Sequence, residues 1–164
     1  MEENQTATLT FNKNVDDIEQ PELMPEDWYV MELRDAPEVK PNKAMQNDPE
    51  SEKAGKNWVV PLVVATGDEE FDGRWFTLFL PLPKPGDDKK RTPMGQTVED
   101  QAMERIGQFV EAFGGNIQGD TVSVKKGMRG QCYVDRQVLN GEPRNGINMF
   151  AGFKPADAGM AAIG

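Results

Sequence analysis

TVEDQAMERIGQFVEAFGGN, residues 97–116, is the one stretch whose periodicity demands a long helix. Thr97 and Asp100 have the spacing of a capping box, in which a hydroxyl and a carboxylate satisfy otherwise orphaned N–H groups. Glu99 and Asp100 put negative charge at the end where the helix dipole favours it. Val98, Ala102, Ile106, Phe109, Val110 and Phe113 recur at helical spacing and make one apolar stripe. Gly114-Gly115 stops the helix, because a left-handed closing residue costs glycine nothing. One apolar stripe must be buried against another layer. The flanking sequence is strand-like on both sides, so the spacing predicts a helix packed on the underside of a sheet or barrel.

Working outward, residues 28–33 (WYVMEL) alternate as a first strand. Residues 35–56 read as a long polar loop with lysines at 40, 43, 53 and 56. Residues 57–66 (NWVVPLVVAT) read as a second strand, and Pro61 within it predicts an edge position or a bulge. An acidic turn over residues 67–73 leads to a third strand, residues 74–80 (RWFTLFL), and the two make a hairpin. A proline- and glycine-broken loop over residues 81–96 precedes the helix. After it, residues 121–126 start a short strand and residues 129–139 (RGQCYVDRQVL) form the fourth main strand. Asn140-Gly141 is a strong hairpin signal, and residues 144–150 return as the fifth.

The order is three strands, a helix and a hairpin. It predicts a mainly β fold: a five-stranded OB-like Greek-key barrel with one α-helix between strands 3 and 4. An α+β sheet covered by one helix fits the same order. The expected division is an acidic N-terminal arm over residues 1–26, an OB-like domain over residues 27–154 and a flexible C-terminal tail over residues 155–164.

Composition narrows the chemistry. The chain of 164 residues has no histidine, which removes the commonest general base and metal ligand together. Its single cysteine, Cys132, excludes an internal disulfide, suits a reducing compartment and reads as a small apolar filler. No run of 18 apolar residues is present, and the opening MEENQTATLT lacks the features of a secretory signal. The formal net charge of −10 is uneven: residues 1–27 hold eight acids against Lys13, whereas residues 121–154 hold six bases against two acids. Screening limits exposed charges to about 8–10 Å, so a basic groove is compatible with overall acidity. The acidic run Asp68, Glu69, Glu70 and Asp72 lies on one turn and reads as solvated rather than metal-binding. No glycine-rich segment has phosphate-loop spacing. The expectation is no catalysis, no cofactor and no metal.

The stretches MPEDWYVMEL, EEFDGRWF, EAFGGN and KKGMRGQCYVDRQVLNGEPRNGINMFAGFKP carry a resemblance across residues 25–155. Together the chain resembles an uncharacterised family of phage-encoded proteins with an OB-like fold that bind single-stranded DNA in replication or recombination. It departs from that family's pattern in the long loop at 35–56 and in the acidic arm. The resemblance implies single-stranded DNA as ligand, replication or recombination proteins as partners, and the cytoplasm, a host cell's if the chain is phage-encoded.

Sequence-tolerant binding of a single strand needs flat side chains for stacking and cations along the phosphates. In RWFTLFL, Phe76, Leu78 and Leu80 are the inward set, leaving Trp75, Thr77 and Phe79 outward. Trp75 beside Arg74 is the leading stacking residue, then Trp58 beside Lys56, then Tyr133; each of these can instead be core. The candidate phosphate ligands are Lys56, Arg74, Lys84, Lys89, Lys90, Arg91, Lys125, Lys126, Arg129, Arg136 and Arg144, against the alternative of ordinary solvated loops. The arm, tethered at high effective concentration, is a polyanion able to compete for such cations. The rival function is a structural or protein-interaction β-domain that docks a protein partner, with the arm as anchor or DNA mimic.

Overall fold

The computed structural model describes residues 5–19 and 21–157 and has one long helix, where the periodicity puts it. In chain order the elements are a 3₁₀ turn at Val15–Asp17, β1 (Asp27–Leu33), β2 (Glu38–Pro41), α1 (Lys43–Asn47), β3 (Lys56–Val64), β4 (Trp75–Pro81), α2 (Val98–Ala112), β5 (Asn116–Gln118), β6 (Thr121–Ser123), β7 (Arg129–Leu139), β8 (Glu142–Ile147), a 3₁₀ turn at Met149–Ala151, and β9 (Phe153–Pro155). The Thr97 hydroxyl accepts from the Asp100 N–H at 3.0 Å, which is the expected N-cap. The helix ends at Ala112 with Phe113 as its C-cap, and Gly114 then takes φ +77°, the left-handed closing residue expected there. Asn140 and Gly141 both have positive φ, as a tight β7–β8 hairpin turn requires.

The protein is mainly β. Seven strands form one antiparallel sheet, and β5 and β6 form a separate ribbon. Across the sheet the path runs β4–β3–β1–β7–β8, with β2 continuing β1 along β3 and β9 continuing β8 along β7. The sheet curls until β4 and β8 come within 8 Å in places, yet no ladder joins them. A closed five-stranded barrel is therefore not drawn by the hydrogen bonds; a seam stays open between β4 and β8. Strand 5 also stops at Ile147 rather than residue 150, where the chain turns through Met149–Ala151 into β9.

Two local expectations are overturned. The supposed loop at 35–56 contains β2 and α1, the latter capped by the Asn42 side chain accepting from Met45 N–H. Pro61 lies in a strand paired on both sides, not at an edge or bulge. Its missing N–H costs no ladder bond, because its neighbour bends there: β1 ends at Leu33, β2 starts at Glu38, and the Pro61 carbonyl accepts from Arg34 N–H at 2.9 Å.

The core lies between the concave side of the sheet and α2. Met31 and Leu33 of β1, Val60, Leu62 and Val64 of β3, Leu78 and Leu80 of β4, and Cys132 and Val134 of β7 point into it. Ala102, Ile106, Phe109, Val110 and Ala112 present the helix stripe. Gly130 is what lets α2 approach β7: a Cβ there would meet the Phe113 ring at 2.5 Å.

The arm ends earlier than residue 26. Met24 is wholly buried, its N–H donates to Asn145 Oδ1 at 2.7 Å, and Asn145 Nδ2 donates back to its carbonyl at 3.0 Å. Arg74 donates to the Glu22 carbonyl and the Arg136 N–H donates to Glu26. Residues 21–26 thus form a strap between the start of β4 and the β7–β8 pair. Residues 5–19 are exposed throughout. At the other end, Pro155 belongs to β9; of the tail expected at 155–164, residues 158–164 lie outside the described residues, as do residues 1–4 and 20 of the arm. Met24→Ala should cost about 2–5 kcal/mol in urea denaturation, the usual loss for a buried methionine truncated to alanine. Removing residues 5–19 together with what precedes them should leave the midpoint unchanged, since residues 5–19 are exposed throughout.

Candidate nucleic-acid interface

The pleat of β4 decides which of its side chains meet solvent. Alternate residues of a strand point to opposite faces. Leu78 and Leu80 go into the core, while Trp75 is 71% exposed and Phe79 54% exposed. Arg34, set at the bend after β1, lays its guanidinium 3.9 Å from the Trp75 ring centre and donates from Nε to the Leu62 carbonyl at 3.0 Å. The cation covers one ring face and holds the indole by a contact attractive to its quadrupole. The outer row continues from Trp75 through Val63 and Glu32 to Arg129.

Beside this face lies the seam. Its upper half is a groove of about 810 Å³ between residues 74–77 and residues 142–147, walled at its mouth by Pro21, Glu22 and Leu23. Its lower half, about 430 Å³, runs past Phe79 to Asn148 and Phe150. Trp75 lines the upper pocket, and Phe79 and Phe150, the latter 78% exposed, line the lower one; the two adjoin at Thr77, Gly146 and Ile147. Two bases and two acids line its upper half: Arg144 lies 3.6 Å from Glu142, and Arg74 donates to the Glu22 carbonyl, so the groove offers two guanidinium groups without net positive charge.

The other candidate residues divide by location. Trp58 shares the inward set of β3 and packs edge-to-face on Phe109 at 6.1 Å, so it fills the core instead of offering a stacking face. Tyr133 is on the outer face of β7, in a T-shaped contact with Trp28 at 5.5 Å, and Lys154 sits over Trp28. It is on a different part of the sheet from Trp75. Lys84 is committed elsewhere: its ammonium donates to the Glu52 carbonyl and, at 2.9 Å, to the Ala54 carbonyl, fastening the 42–55 segment to the loop after β4. Arg129 is held by Glu32 at 2.8 Å. Arg136 supports the strap through its N–H to Glu26 and Nε to the Met24 carbonyl. Arg91 donates to the Gly95 carbonyl. Lys56, Lys89 and Lys90 are exposed near the far end of β4, whereas Lys125 and Lys126 stand on the loop before β7. The cations do not converge; only Arg74 and Arg144, with Lys56, Lys89 and Lys90 at the far end, border β4 and its cleft.

Sequence reasoning missed Phe79 as a site residue although alternation placed it beside Trp75. It also missed Arg34, which the bend at residue 34 brings over the Trp75 ring, and Phe150, which the 3₁₀ turn at Met149–Ala151 brings to the lower pocket. Asp72 of the acidic run is spent on its own turn, accepting from Thr66 N–H, Thr66 Oγ1 and Gly67 N–H, bonds that hold its carboxyl below the usual range. No cluster of three or more metal-ligating side chains occurs among the described residues. Burial pushes the Cys132 thiol far above its ordinary range, so the thiolate is withheld. Among the described residues no helix is long and apolar enough to cross a membrane. No protein-family model and no curated protein sequence matches the chain.

Lys84→Met should lower stability by about 1–3 kcal/mol, because two carbonyls lose a charged donor. It should leave the salt dependence of oligonucleotide binding untouched. Lys89→Met should do the reverse, changing the salt slope and not the denaturation midpoint.

Proposed function

We propose that the protein binds single-stranded DNA, without catalysis, through the outer face of β4 and the cleft beside it. The observation that carries this is the exposure of Trp75 and Phe79 on one strand face, a costly placement for two large rings unless they meet a flat partner. Base–aromatic stacking tolerates any sequence, and nearby Arg74 and Arg144 supply phosphate contacts. The fold is an OB-like barrel with its seam open between the third and fifth strands, here β4 and β8. The path β4–β3–β1–β7–β8, with a helix between β4 and β7, supports that assignment. In such barrels the ligand lies on the face of the second and third strands, flanked by the first–second and fourth–fifth loops. Here those are β3 and β4, the segment from Arg34 to Gly55 and the β7–β8 turn. The resemblance to phage single-stranded DNA-binding proteins supports the same reading, with replication or recombination in a cytoplasm as the proposed setting.

A protein-docking function is the second reading, and the exposed apolar side chains of the arm favour it. Fluorescence anisotropy of a labelled oligonucleotide separates the two. Binding should weaken as salt rises, with a log–log slope of roughly −0.7 per phosphate contact. Trp75→Ala should weaken binding by about 1–3 kcal/mol while leaving the urea midpoint in place. No measurable affinity at low salt would favour the docking function instead.

A further inference from the structure

The neighbours of Trp75 on its own strand face are small. Thr77 follows it on the same side of β4, and Val63 is its partner on β3. An exposed indole with so little around it has rotamer freedom to lose when a ligand stacks on it. Arg34 is the large side chain set against that freedom. Its guanidinium carbon lies over the Trp75 ring, 3.9 Å from the centre.

Arg34 is itself fixed at both ends. Its N–H donates to the Pro61 carbonyl at 2.9 Å, and its Nε donates to the Leu62 carbonyl at 3.0 Å. Two successive carbonyls of β3 thus hold its backbone and its side chain. Among the described residues no acid pairs with it, whereas Arg129 has Glu32 and Arg144 has Glu142. The cation comes from the β3 side, where its Nε is anchored, and it lines neither half of the cleft; Trp75 lines the upper one. The open side of the ring is therefore the cleft side. The other cation over an indole is arranged differently. Lys154 lies 4.1 Å from the Trp28 ring centre, but Tyr133 meets that half-buried ring edge-on, so Trp28 has no comparable open face.

We propose that Arg34 is the positioning residue of the stacking site. It holds the Trp75 indole in one orientation, covering one face, so that a single base stacks on the cleft side without first ordering the ring. This deepens the DNA-binding reading and rests on it for the ligand. A ring already held has less freedom to lose on binding, which raises affinity without adding a contact. Lysine at this position keeps the charge but lacks the flat guanidinium and the Nε that reaches Leu62.

Arg34→Lys is therefore the deciding substitution. In a background of Trp28→Phe with Trp58→Phe, Trp75 is the one indole, and time-resolved fluorescence anisotropy reads its motion without DNA. The parent ring should move with the whole protein, and Arg34→Lys should add a picosecond-to-nanosecond local motion. In the otherwise native protein, Arg34→Lys should bind a labelled single-stranded oligonucleotide about three- to tenfold more weakly. The salt slope should stay as it was, because the charge is retained. Made together with Trp75→Ala, it should weaken binding no further than Trp75→Ala alone. An indole as still in Arg34→Lys as in the parent overturns the positioning role, whether or not DNA binds. A freed ring with unchanged affinity, or a loss that persists beside Trp75→Ala, overturns its part in stacking. If the parent binds no oligonucleotide while Arg34→Lys still frees the ring, the DNA-binding reading fails and the hold on Trp75 stands.

Discussion

Phe109 is the side chain around which the fold closes. It sits wholly buried on α2, with Phe113 at 4.6 Å, Phe153 at 5.5 Å and Trp58 at 6.1 Å. That cluster joins the helix to β3 on one side and β9 on the other, so one ring holds the curled sheet to its covering helix. Burying such a ring contributes about 1.5–3 kcal/mol by transfer alone, and removing it leaves a cavity whose lining loses its contacts as well. Trp58 is inward because this cluster needs it. Once Trp58 is taken, β4 is the strand left to carry exposed aromatic rings beside the seam.

The seam is the second constraint. A sheet that curls without closing exposes the edges of β4 and β8, and exposed edges invite pairing with other chains. Here the strap at residues 21–26 blocks the mouth, with Asn145 acting as a backbone substitute for Met24. What remains is a cleft with aromatic walls and a few cations. Such a cleft is suited to an extended ligand that brings its own flat groups, and that is the physical basis of the DNA-binding proposal.

Much of this was legible from periodicity. The helix, its Thr97 cap, the β3–β4 hairpin, the β7–β8 turn and the outward direction of Trp75 all follow from local patterns that the tertiary structure reinforces. What was not legible depended on partners distant in sequence. Met24 looks like an arm residue until Asn145 arrives from the far hairpin. Pro61 looks like an edge marker because nothing local says that its neighbour bends at Arg34. Lys84 looks like a free cation because its two carbonyl partners lie some thirty residues earlier. Within the candidate site, alternation turned Trp75 outward, as the strand has it, but ranked Trp58 too high, since an alternating strand does not announce which face a helix will cover. It also treated the basic residues as one group, whereas several are held in ion pairs or hydrogen bonds to the backbone.

The central claim is that a base stacks on Trp75. A variant retaining that indole alone, Trp28→Phe with Trp58→Phe, reports on it directly through intrinsic fluorescence during titration with an unlabelled single-stranded oligonucleotide. The account expects saturable quenching that reverses as salt is added. Fluorescence that stays constant while anisotropy of a labelled strand shows the same variant binding would place the DNA elsewhere and contradict it.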